Sequence, residues 1–155
     1  MSTVIRGFEH SGVVSNQQLA AMLKKAPKRH LESLKAIAFI NSSEKAVYDV
    51  PSAGEKGAYF PDYRSILFFD IESPDACEHV LFHELGHFVF HQKITSYQRK
   101  EWTNKLFIKR QFVSAYAATD PAEDFAESYA YYILDVQKMK AIPDKYHFMR
   151  FQVFV

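Results

Sequence analysis

The chain is expected to fold as an α+β protein, with a small, mainly antiparallel sheet packed on a long motif helix and a following glutamate-bearing helix. Three observations lead there. Short apolar segments rich in β-branched and aromatic residues precede residue 72. Two helical runs, each opened by a capping residue and a proline, follow it. The links between the early segments are too short for helical crossovers, which favours antiparallel pairing. With 155 residues, 48% hydrophobic and 15% aromatic, the chain is long enough for a real core, and one domain over residues 1–155 is the simplest division.

Ser15 caps a first helix through Leu19, Met22 and Leu23, and Pro27 ends it. Ala36–Ile40 and Ala46–Val50 read as strands, with a loop from Pro51 to Gly57 between the second and the third. Arg64–Ile71 is the clearest strand and a candidate edge for an extended peptide. Ser73 and Pro74 form the cap and first turn of the motif helix, which should reach about Gln92. A polar, exposed helix is expected over Ser96–Lys109. Asp120 and Pro121 open the next helix, expected to reach about Met139. Pro143 starts a last short helix before the apolar end, Phe148–Val155.

A formal net charge of +1 gives no reason to expect nucleic acid as a partner. Lys24, Lys25, Lys28, Arg29 and His30 are explained by a solvated helix face. The single cysteine, Cys77, excludes an internal disulfide framework. No run reaches the length of a membrane span, and the opening residues lack a secretory signal. A cytoplasmic location is the default expectation, with non-classical export still open. Oligomeric state is not set by the sequence.

The richest stretch is His83-Glu84-Leu85-Gly86-His87, an H-E-x-x-H pattern inside an apolar run. On a helix, residues four apart share a face, with Cβ atoms about 5–6 Å apart. Two such imidazoles can both reach one zinc ion at roughly 2.0–2.1 Å. Glu84 lies about 100° further round, beside the metal, where it can take a proton from metal-bound water. Val80, Leu81, Phe82, Leu85, Phe88, Val89 and Phe90 make the helix apolar nearly all round. Buried histidines and a glutamate need partners there, and Zn2+ supplies them.

A catalytic zinc usually keeps three protein ligands and an open position. The metzincin continuation fails, since Phe90 and Lys93 stand where Gly and His are required. Cys77 lies well round the helix from the metal face and reads as a small buried hydrophobe. His79 and His91 extend the row by a turn each way, but the drift of successive i+4 steps turns them off the metal. An acidic residue on the later helix remains. Glu123 and Glu127 lie at i and i+4, so either can face the site. Asp120-x-x-Glu123 is also a capping-box pattern, which would fold Glu123 back on the helix start. Periodicity leaves the choice open.

Taken together, His83-Glu84-x-x-His87 and Glu123-Asp124-Phe125-Ala126-Glu127 resemble the gluzincin metallopeptidases, which have a zincin-like fold. The closest likeness is to the anthrax lethal factor type catalytic domain, a family that includes the Pro-Pro endopeptidases. Its Y-x-x-T-x-x-x-E-x-F-A-E setting is matched by Tyr116, Thr119, Glu123, Phe125, Ala126 and Glu127, and the similarity covers roughly residues 74–135. The resemblance implies a zinc metalloendopeptidase acting on a peptide or protein. It makes Glu123 the third ligand and Glu127 a carboxylate facing a ligand histidine. Tyr116 then offers its phenol O–H to the developing oxyanion.

The ImmA/IrrE-type regulatory metallopeptidases share H-E-L-G-H with a further histidine, matched by His91, though Glu123 to Glu127 follow their glutamate helix less well. An alternative from another class is a zinc-stabilised regulatory or interaction protein with little proteolysis. A third is a latent peptidase with the segment Tyr146–Val155 in its cleft.

Overall fold

The computed structural model describes residues 2–48 and 55–155. Residues 1–84 and 85–155 form two compact units, and the division falls inside one continuous helix.

In the first unit the sequence runs β1 (Val4–Arg6), α1 (Asn16–Leu23), β2 (Ala36–Phe39), α2 (Ser42–Val47), β3 (Gly57–Phe60) and β4 (Ser65–Phe68), and then the start of α3 (Pro74–Gln92). Ser15 caps α1 as expected, in a reciprocal capping box with Gln18. Among the described residues there is one four-stranded sheet, in the order β1-β2-β4-β3. β1 and β4 both run parallel to β2, and β3 alone is antiparallel, against β4. All four residues of β4 are buried, as suits a central strand covered on both faces.

The architecture is mixed α+β, but the expectation of a mainly antiparallel sheet is corrected. It rested on reading Ala46–Val50 as a strand. Residues 46 and 47 instead close α2, started by a capping box between Asn41 and Glu44; residues 49 and 50 lie outside the described ones. With a helix in that link, the chain has the length to return parallel to β2. The stretch from Gly7 to Lys35, containing α1, does the same between β1 and β2. β1 was missed because three residues carry no usable alternation. Gly57, expected to end a loop, begins β3.

The structure also corrects the expected edge. β4 is interior, and among the described residues β1 and β3 are the edge strands. Phe69 N–H bonds to Lys56 O at 2.8 Å, so residues 56, 58 and 60 face β4 and the amides of Gly57 and Tyr59 point away from the sheet. Helix α3 lies close to this strand: a Cβ on Gly57 would stand 2.9 Å from Val80 Cγ1.

The second unit holds the rest of α3, then α4 (Ser96–Glu101), α5 (Pro121–Leu134), α6 (Val136–Lys140) and α7 (Pro143–Phe148). The expected helix over 96–109 is one winding run, α-helical, then π-helical over Trp102–Leu106, then a 3-10 turn over Phe107–Lys109. It is not wholly exposed, because Trp102 and Leu106 are buried. Trp102 packs edge-on against Phe125 and Phe148, each at 5.2 Å between ring centroids. The helix expected to reach Met139 breaks at Asp135, whose backbone (φ −153°, ψ 74°) leaves the helical region. The chain end packs on α5, with Phe154 stacked on Tyr132 at 4.4 Å. Among the described residues no helix is long and apolar enough to cross a membrane.

Candidate metal centre

Helix α3 begins where its local chemistry dictates. Ser73 Oγ accepts the N–H of Ala76 at 3.1 Å, and Pro74 occupies the first turn, where its missing donor costs nothing. At the far end Arg99 donates to the carbonyls of Phe90 and Ile94 at 3.2 and 2.9 Å. Leu81, Phe82, Leu85, Phe88 and Val89 are fully buried. On the helix between these ends, His83, Glu84 and His87 each present a ligand-type atom, all within 4.8 Å of one another.

Glu84 is held by the sheet. Its Oε1 accepts the outward N–H of Tyr59 at 3.0 Å, and its Oε2 lies 3.9 Å from His83 Nε2. One carboxylate oxygen is thus tied to the β3 backbone while the other faces the imidazole. No side-chain pattern could have announced this contact, because the donor is a main-chain amide.

In the second unit the two glutamates of α5 take different partners. Asp120 caps the helix by accepting the N–H of Glu123 at 2.9 Å. The reciprocal half of the expected capping box does not form. The Glu123 carboxylate reaches His87 instead, with Oε1 at 2.7 Å from Nε2. Its Oε2 accepts a hydrogen bond from the Tyr116 hydroxyl at 3.1 Å. Glu127, one turn on and buried, accepts from Ser114 Oγ at 2.7 Å. Ser114 escaped the sequence reading, since a serine seven residues before a helix carries no signal of its own.

The approach of α5 depends on Gly86, the fourth residue of the motif. A Cβ there would stand 2.9 Å from Ala126 Cα and 3.0 Å from Tyr129 Cβ. Gly86→Ala gains roughly 1 kcal/mol in helix propensity. The clash with backbone that cannot swing aside costs roughly 1–3 kcal/mol. We expect a net stability loss of up to about 2 kcal/mol by urea denaturation, with weaker zinc uptake as Glu123 is pushed from His87. An alanine variant more stable than wild type by the roughly 1 kcal/mol of helix propensity would refute the close packing.

The donor set suits zinc: two imidazoles on one helix face and a carboxylate directed at one of them. His87 Nε2 and Glu123 Oε1 lie at hydrogen-bonding distance, whereas two ligands of a tetrahedral zinc stand roughly 3.3–3.4 Å apart. Among the described residues, His79 and His91 do not join the close group on α3. Burial pushes the Cys77 thiol up to about 11, helped by Glu78, which keeps it neutral and makes it a poor ligand.

No curated protein matches the chain. A family model described as "Putative zinc-binding metallo-peptidase" matches residues 97–150, about a third of the chain. That segment includes Tyr116, Glu123 and Glu127 and begins after the histidine motif. Over this segment the chain is similar to a zinc-binding metallopeptidase family, and the match supports a zinc-dependent hydrolase of peptide bonds.

Proposed function

We propose that the chain is a zinc metalloendopeptidase of the gluzincin kind, akin to the lethal factor type, in which His83, His87 and Glu123 hold the metal. The observation that carries this reading is the contact between Glu123 and His87. There the Glu123 carboxylate lies on a motif histidine, which supports Glu123 as the third ligand.

Zinc bound there supplies Lewis-acid polarisation of the scissile carbonyl and a water whose pKa falls toward ~7. Glu84 takes the proton of the attacking water and returns it to the departing amine. The Tyr59 N–H on its Oε1 orients the carboxylate for that exchange. Tyr116 stands half exposed, with its hydroxyl on Glu123 Oε2, and has room to turn this donor toward the oxyanion. Glu127 is the outer carboxylate, facing a ligand histidine and orienting it. An extended peptide would add along β3, an edge strand among the described residues.

Mass-spectrometric profiling of a peptide library tests the reading. Zinc-loaded protein should give defined cuts that vanish on chelation and return when zinc is restored. A blank from fully loaded protein would overturn the peptidase reading and favour a zinc-stabilised regulatory or interaction protein.

A further inference from the structure

Both carboxylates on the inner face of α5 are gripped by one short segment. Tyr116 donates to Glu123 and Ser114 donates to Glu127, so residues two apart on the segment serve residues four apart on the helix. Ser114 is also bound into the turn that carries Tyr116, since its Oγ accepts the N–H of Ala117 at 3.3 Å. A serine hydroxyl has one proton to give. Here it goes to Glu127, and a lone pair takes the backbone amide. The segment is fastened at its start as well, where buried Lys145 donates to the carbonyl of Gln111 at 2.5 Å and to Asp124 of α5 at 2.9 Å.

We propose that Ser114 is a positioning residue for the metal centre: it locks the buried Glu127 carboxylate and the Tyr116 turn in register on α5. The inference rests on the metal-binding reading above and adds a residue to it. Glu127 is 5% exposed, so each donor it receives limits its rotamers. Removing the hydroxyl takes one donor from Glu127 and unties the turn that carries Tyr116. On that reading, the ligand histidine that Glu127 orients and the glutamate bonded to Tyr116 then lose their fixed directions.

The test compares zinc affinity, by chelator competition, and the visible spectrum of the cobalt(II)-substituted protein. Its set is wild type, Ser114→Ala, Ser114→Thr, Glu127→Gln and the Ser114→Ala/Glu127→Gln double variant. Outer carboxylate networks typically change metal affinity about 10–100-fold. Ser114→Ala should weaken zinc by that order and alter the cobalt bands, and Ser114→Thr, which keeps the hydroxyl, should restore both. In the Glu127→Gln background the alanine change should have much less effect. Equal affinity and spectrum in wild type and Ser114→Ala would overturn the proposal alone. So would a loss of the same size in both backgrounds, since that marks a merely structural role. A wild-type chain that takes up neither metal would overturn the metal centre itself, and this proposal with it.

Discussion

Replacing Glu84 by glutamine should lower peptide cleavage about 10²–10⁴-fold while leaving zinc content unchanged. The amide has nearly the shape of the carboxylate, and its oxygen can still accept the Tyr59 N–H that orients the side chain. What it lacks is any capacity to take a proton from water near neutral pH. The placement of Glu84 one residue after His83 makes this a sharp test. Its carboxylate is near enough to the two imidazoles to count among the metal-type donors of α3. Cleavage rate and zinc content, measured on the same preparation, separate the two roles. Lost turnover with full zinc marks a general base; lost zinc marks a ligand; retained turnover would sink the mechanism.

A second large effect is expected at a buried ion pair. Lys145 is 1% exposed, and its ammonium lies 2.8 Å from Asp124 Oδ2. It sits 4.6 Å from the centre of the Phe112 ring. Burial pulls the Lys145 pKa down and pushes Asp124 up to about 6, against the pull of the lysine. Lys145→Met should cost about 3–5 kcal/mol, because it strands an unpaired carboxylate in the core. The Asp124→Leu/Lys145→Met double variant should recover most of that, since it removes both desolvation penalties together. Urea denaturation of the three proteins measures this. A single variant within about 0.5 kcal/mol of wild type, the range of an ordinary surface change, would contradict the assignment.

The parts of the site that are local in sequence could be read in advance. H-E-x-x-H needs only helical spacing to bring its residues together, and Ser73-Pro74 and Asp120-Pro121 announce their helix starts by capping chemistry alone. The same locality explains one error. The apolar run Ala46-Val47-Tyr48-Asp49-Val50 suggested a strand, but the Asn41–Glu44 capping box just upstream set a helix, and β2 and β4, on either side of it, pair in parallel.

Other features arise only when distant segments meet. Glu123 and Glu127 are equivalent by periodicity; the close approach at Gly86 and the Asp120 cap put Glu123 on His87. Tyr59 reaches Glu84 through a backbone amide, which every residue but proline carries and which therefore leaves no mark in a sequence. Ser114 and Lys145 belong to residue types that usually meet water, and nothing nearby in the chain sets them apart. Their roles come from burial, which turns an ordinary hydroxyl and an ordinary ammonium into obligatory partners for carboxylates that have no water to turn to.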